Sequence, residues 1–349
     1  MRSIGNRSRI NRRSLTDPIG TRTPVALNSL DSYLCVGYPG GVRITSEDRR
    51  SSTLHIPRVV AEAVSSQSRV EGAPHDFYRY PARFSPVFTR EVIKAFSREG
   101  DLVIDPFCGG GTTLLEAMAL GRRAAGMDVS ALATFIARTK TTPLSVHDKR
   151  AIVAWLESLE RDEPQIRAKG SFRASSDVAH YERNLPNTAK RFFSWALHRI
   201  SRLEKPRQQS FARLALLAVG QWALDCKTSA PSAADMKNEF CRRLRDSVEA
   251  YFRFLTGVAK DNELPRCRLS SLRRIINRDA QGSDEDGRIP RSWLPAKLVV
   301  TSPPYPGVHV VYHRWQINGR RETPAPFWLA NQRDGAGEAF TRCPEEMLN

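Results

Sequence analysis

Short apolar runs cut off by Asp, Pro or Gly take turns with helical spacings over the stretch that begins near His75. HDFYRYPARFSPVFTREVIKAF opens on a Pro-broken aromatic entry and continues as a helix with its spacing at Val87, Glu91 and Phe96. Leu102, Val103 and Ile104 predict a strand, ended by Asp105 and Pro106. Three glycines follow, then TTLLEAMALG, a helix that stops at Gly121. RRAAGMDVS predicts a second buried strand ending at Asp128, and SALATFIARTK a second helix. Two successive strand–turn–helix units imply an α/β fold with a doubly wound, Rossmann-like parallel sheet.

From Ser145 to Lys260 the pattern changes to amphipathic helices, carried by Ile152, Trp155, Leu156 and Leu159, by Phe192, Trp195 and Ile200, and by Phe240, Leu244, Val248 and Phe252. Trp155, Trp195 and Trp222 read as core residues. Lys190, Arg191, Arg199, Arg202, Arg242, Arg243, Arg245 and Arg253 lie between the apolar positions, either to contact phosphates or as a solvated face. Strands resume at RRIINRDA and, after the polar loop QGSDEDGR, at KLVVTSPPY. The layout is a basic segment over 1–65, a sheet half over 66–144, a mainly helical insertion over 145–265 and a second sheet half over 266–349.

Charge narrows the partners. The formal net charge is +17 at pH 7, from 54 Lys and Arg against 37 Asp and Glu, which favours a polyanion whose counterions are released on binding. Hydrophobic residues at 40% suffice for a large core. Cys35, Cys108, Cys226, Cys241, Cys267 and Cys343 form no CxxC pair, which suits a reducing compartment. No apolar run approaches the roughly 20 residues that cross a bilayer, and the Arg- and Ser-rich start lacks a signal-peptide core, so a cytoplasmic protein without membrane contact is expected. That start either stays mobile or lies along phosphates; a transit peptide or an early start codon would read alike.

The first constellation with chemistry is DPFCGGGTT, Asp105 to Thr113, between a strand and a helix. Glycines there let a ligand lie against bare backbone, and the amides of the helix start favour a carboxylate or phosphate. The spacing is neither GxGxxG nor GxxxxGKS, and no Lys follows the glycines, which disfavours hydride and phosphate enzymes. Asp128, at the end of the next strand, either accepts from ribose hydroxyls or caps the following helix.

The second constellation is TSPPY, Thr301 to Tyr305, directly after Leu298, Val299 and Val300. Two prolines fix the backbone and donate nothing, so their carbonyls and the preceding side chain accept from an exocyclic amine. The freed lone pair then attacks a sulfonium methyl, while Tyr305 offers a face on which an extruded base stacks. His309 and His313 lack the Glu of an HExxH frame, so no metal is expected.

With these two motifs the chain resembles the S-adenosylmethionine (SAM)-dependent amino-methylating DNA methyltransferases, which combine such a glycine motif with a (Asp, Asn or Ser)-Pro-Pro-(Tyr or Phe) motif. YPARFSP, Tyr80 to Pro86, is similar to the segment that precedes the family's glycine motif. The resemblance assigns SAM binding to Tyr80, Pro81, Phe84, Asp105, Phe107, Gly109, Gly111, Thr112 and Asp128, with Asp279 at the adenine amine, and the target amine to Ser302, Pro303, Pro304 and Tyr305. Ser302 stands where N4-cytosine members usually carry serine, whereas N6-adenine members usually carry Asp or Asn. No Pro-Cys pair occurs, which sets cytosine C5 chemistry aside.

The resemblance implies double-stranded DNA with a flipped target base as partner, target recognition within 145–265, nucleoid association when bound, and a cognate restriction endonuclease. Alternatives are an N6-adenine DNA enzyme, an RNA methyltransferase acting on N2 of guanosine, and a truncated, inactive nucleic-acid-binding relative. The family's sheet continues through further strands after this motif, whereas here PGVHVVYHRWQINGRRETPAPFWLA follows, mixing basic and aromatic residues as a nucleic-acid groove would need. A fragment, a partner or the N-terminal residues would account for the remainder.

Overall fold

Four short strands with apolar faces make one parallel sheet in the computed structural model, which describes residues 56–65, 72–81, 84–162, 180–281, 287–302, 314–317 and 321–334. They are β1 (Leu102–Asp105), β2 (Arg123–Asp128), β3 (Arg273–Asn277) and β4 (Leu298–Val299), in the order β3-β2-β1-β4. Leu102 pairs with Arg123, Ala124 with Arg273 and Val103 with Leu298. The alternation of a strand sends Leu102 and Ile104 to one face, with Ala125, Met127, Ile276 and Ile289. Val103, Ala124, Leu298 and Val300 occupy the other. Burial on both faces explains why these strands read as apolar runs. This is the Rossmann-like α/β arrangement expected.

Helices α1 (Arg58–Val64), α2 (Pro86–Phe96), α3 (Thr112–Ala119) and α4 (Ala131–Thr141) flank the sheet. Helix α1 falls inside the stretch read as a basic N-terminal segment, yet its Val60 packs with Leu298 and Val300. In α2 the predicted phase is off: Val87 is 46% exposed, and Thr89, Val92 and Ile93 are the buried stripe.

Helices α5 (Val146–Arg161), α6 (Asn187–Ile200), α7 (Pro206–Leu224) and α8 (Ala233–Asp261) pack through one apolar cluster on α3 and α4, shared with Leu115, Met118, Leu132 and Ile136. Helix α7 is its centre. Phe211, Ala212 and every residue from Leu214 to Gly220 are buried, so the helix is apolar all round and shows no stripe in the sequence. Asp148 anchors the group from α5: it shares a capping box with Ser145 and accepts from Arg207 Nε at 2.7 Å and Gln208 Nε2 at 2.9 Å.

Two aromatic assignments change. Trp222 is 38% exposed, while Trp155 and Trp195 are only partly buried against the cluster. Trp315 and Phe327, in the stretch read as a nucleic-acid groove, are buried; Trp315 packs where α7 has Gly220, and a Cβ there would collide with its indole. Trp315 lies in a hairpin of β5 (Trp315–Ile317) and β6 (Arg321–Thr323), followed by α9 (Ala325–Ala330).

Among the basic residues read either as phosphate contacts or as a solvated face, several are ion-paired: Arg199 with Asp162, Arg242 and Arg243 with Glu239, and Arg245 with Glu160. Lys190, Arg191 and Arg253 carry no ion pair among the described residues. No described helix is long and apolar enough to cross a membrane. No group of three His, Cys, Asp or Glu that could hold a metal occurs among the described residues.

Candidate active site

Strand order reverses between β1 and β4. Helical crossovers carry the chain from β1 to β2 on one side, and β4 returns to the other, which makes the carboxyl ends of β1 and β4 the topological switch point, where such sheets bind ligands. Both motifs arrive there. DPFCGGGTT leaves β1 and TSPPY leaves β4.

Asp105 is buried at the tip of β1. Its Oδ1 accepts the Phe107 N–H at 3.2 Å and the Thr301 hydroxyl at 2.9 Å, so the motifs are joined by a side-chain hydrogen bond. Burial, the largest influence, raises the Asp105 carboxyl to about 6, against the Thr113 and Thr301 hydroxyls and the Phe107 amide, which favour its charged form. Thr113 Oγ1 also donates to the Val300 carbonyl at 3.5 Å, linking α3 to the same strand end.

The glycine loop is held by Tyr80 and by Asp128. Gly109 and Gly111 have φ of +46° and +82°, conformations that L side chains rarely adopt. Tyr80 covers the loop: a Cβ on Gly110 would lie 2.8 Å from Tyr80 Cβ. From β2, Asp128 Oδ2 accepts the Gly109 N–H at 2.9 Å and its Oδ1 the Ser130 N–H at 2.8 Å. Ser130 itself caps α4 by accepting from the Ala133 N–H. Asp128 therefore braces the loop and shapes the turn, while a carboxylate's remaining lone pairs stay available to further donors. Burial raises its pKa, opposed by the two amides. Burial also pushes the Tyr80 phenol up, and Ser130 hydrogen-bonds to it.

The other predicted residues spread around this centre. Phe107 and Pro81 are half-buried, and Thr112 is buried at the first position of α3, whose N-cap Gly111 offers no side-chain cap. Phe84 packs against the cluster under α2 and against Phe88, ring centroids 5.9 Å apart. Asp279 lies just past β3, exposed and paired with Arg278 at 3.4 Å; β3 aligns Asn277 with Asp128, so it belongs to the same sheet end. Ser302 follows Thr301 and is half-buried, whereas Pro303, Pro304, Tyr305, His309 and His313 lie outside the described residues.

A buried ionic knot was not anticipated. Glu116 of α3 accepts from Arg90 Nε at 2.6 Å and lies 2.6 Å from His75 Nε2. Burial opposes its charge, yet His75 and Arg90 hold the carboxyl below its ordinary value. Lys140 Nζ donates to the carbonyls of His75 at 3.2 Å and Tyr78 at 3.1 Å. The segment leading to Tyr80 is thus fixed to α3 and α4. The lone acid in the apolar helix TTLLEAMA was the available signal.

Residues 47–137 match the model of the N6_N4_Mtase family, described as DNA methylase. The match takes in Tyr80, the glycine loop and Asp128. The chain is also 32% identical over 79 residues to the Type II methyltransferase M.MjaII of Methanocaldococcus jannaschii, covering 23% of this chain and 15% of that protein. It is 29% identical over 105 residues to M.MvaI of Kocuria varians, covering 29% and 23%. Against M.BsoBI of Geobacillus stearothermophilus it is 37% identical over 67 residues, covering 19% and 13%. The chain thus spans less than a quarter of each of these relatives. No solved structure matches it.

Proposed function

We propose that this protein transfers a methyl group from SAM to an exocyclic amine of a DNA base, with N4 of cytosine the target. The observation that carries the reading is the Thr301–Asp105 hydrogen bond of 2.9 Å, which brings the start of TSPPY against the glycine loop at the switch point of the sheet. A match to a DNA methylase family over that loop and similarity to Type II methyltransferases support the same reading.

The residues fit a cofactor with an amino-acid tail and a ribose. The uncapped amides at the start of α3 suit a carboxylate, and the half-buried Asp128 suits ribose hydroxyls. Tyr80, Pro81, Phe84, Phe107, Gly109, Gly111 and Thr112 would form the wall around it, with Asp105 beneath and Asp279 toward the adenine. Bound there, SAM supplies an electrophilic methyl on a sulfonium. Ser302 and the carbonyls of Pro303 and Pro304 accept the N–H groups of the target amine, which turns its lone pair out of the ring. Tyr305 stacks on the flipped base. Catalysis is then mainly positioning in a dry pocket, because the electrophile needs no further activation.

The partner is double-stranded DNA, consistent with the net charge of +17, with target recognition in the helical region 145–265 and a Type II restriction endonuclease as the companion activity. Cytoplasmic, nucleoid-associated action follows from that substrate. The test is transfer of labelled methyl from SAM to unmethylated DNA and, separately, to tRNA. Label in DNA and none in tRNA is expected; label only in tRNA overturns the reading.

A further inference from the structure

Resting on the function just proposed, we infer that Thr301 is a positioning residue: through Asp105 it fixes the target-amine motif against the cofactor loop. Strand β4 is held to β1 by only two paired positions, Val103 with Leu298 and Ile104 with Val299, whereas β2 is held by four. Beyond that ladder, the Val300 N–H donates to the Ile104 carbonyl at 3.0 Å, and then the backbone pairing gives way to side chains. Thr301, 7% exposed, makes the next link with its hydroxyl, one residue before Ser302.

The acceptor of that link is shared. Asp105 Oδ1 also takes the Phe107 N–H, the first amide of the glycine turn after Pro106, and Thr113 ties α3 to the Val300 carbonyl. One buried carboxylate therefore sees both motifs, and loosening one donor frees the strand that precedes Ser302 while leaving the glycine loop braced by Asp128. Buried networks of this kind specify a single geometry only while every member is satisfied. Thr301 touches neither reacting group; it acts by holding the end of its strand, and with it Ser302, in place.

Thr301→Val keeps the shape and removes the donor, and Thr301→Ser keeps the donor. SAM affinity by calorimetry, kcat and KM on DNA, and amide exchange over residues 300–302 are measured for both. In Thr301→Val kcat falls by about ten- to a hundredfold, the loss of a hydrogen bond to a charged group, while SAM affinity stays at the native value. Exchange over 300–302 quickens but that of the glycine loop does not, and Thr301→Ser keeps native behaviour. Native kcat and exchange in Thr301→Val, equal losses in Thr301→Ser, or a parallel loss of SAM binding would overturn the inference. A native protein that transfers no methyl sinks the functional reading instead, and the exchange comparison still decides the coupling.

Discussion

Asp128 Oδ2 accepts the backbone N–H of Gly109 at 2.9 Å, so the acid at the end of β2 braces the loop that follows β1. Its Oδ1 serves the Ser130 N–H at 2.8 Å. One side chain thus links two strand ends and keeps lone pairs for further donors. Asp128→Ala should cost about 1–3 kcal/mol of stability, because two part-buried amides lose their acceptor. It should also weaken SAM binding by at least about tenfold, the loss of a charge-assisted hydrogen bond. Asp128→Asn keeps one acceptor oxygen and should fall between. Calorimetric titration with SAM alongside thermal melting checks both effects; native SAM affinity in Asp128→Ala would remove this residue from the pocket.

The glycines make a second, internally controlled prediction. At Gly111, φ is +82° and an added Cβ would lie 2.9 Å from Ala137 Cβ and 3.0 Å from its Cα, so Gly111→Ala meets both strain and helix backbone. It should destabilise by more than about 1 kcal/mol. Gly257 lies inside α8 with open space around it, and Gly257→Ala should stabilise by up to about 1 kcal/mol through helix propensity alone. Chemical denaturation of the two variants reads the contrast; equal effects would contradict it.

Three buried carboxyls, Asp148, Glu116 and Asp105, contribute to the pH dependence of stability. Asp148 is held at about 2: burial opposes its charge, but Ser145, Arg207 and Gln208 outweigh it. Glu116 is lowered in the same sense by His75 and Arg90. Groups lowered on folding stabilise the protein above their ordinary values and lose that contribution as pH falls. For Asp148 the loss runs from 3.8 down through about 2. Asp105 runs the other way, raised from 3.8 to about 6, so its contribution is complete below 3.8 and is lost as pH rises through about 6. Asp105→Asn should therefore lose less stability than the native protein as pH rises from 3.8 to about 6, and Asp148→Asn should melt lower at neutral pH but lose less on acidification. Melting temperature against pH for the three proteins checks the signs.

The parallel sheet was legible because β1 is a short apolar run ended by Asp105 and Pro106, β2 one ended by Asp128, and β4 an apolar run before TSPPY, so that the two motifs lie at strand ends. What was hidden has identifiable causes. Helix α7 shows no stripe because it is apolar around its circumference, and the phase of α2 is hidden because its buried stripe includes the polar Thr89 while the apolar Val87 faces out. The role of Thr301 depends on a partner 196 residues upstream, a separation no local pattern reports. Trp222 and Trp315 look alike in sequence, yet only Trp315 meets a glycine that lets an indole approach α7.

The most direct measurement of the central claim is mass spectrometry of nucleosides from unmethylated DNA incubated with the purified protein and SAM. The account predicts N4-methylcytosine. N6-methyladenine would retain the fold and chemistry while overturning the role given to Ser302, and DNA without any amino-methylated base would contradict the account.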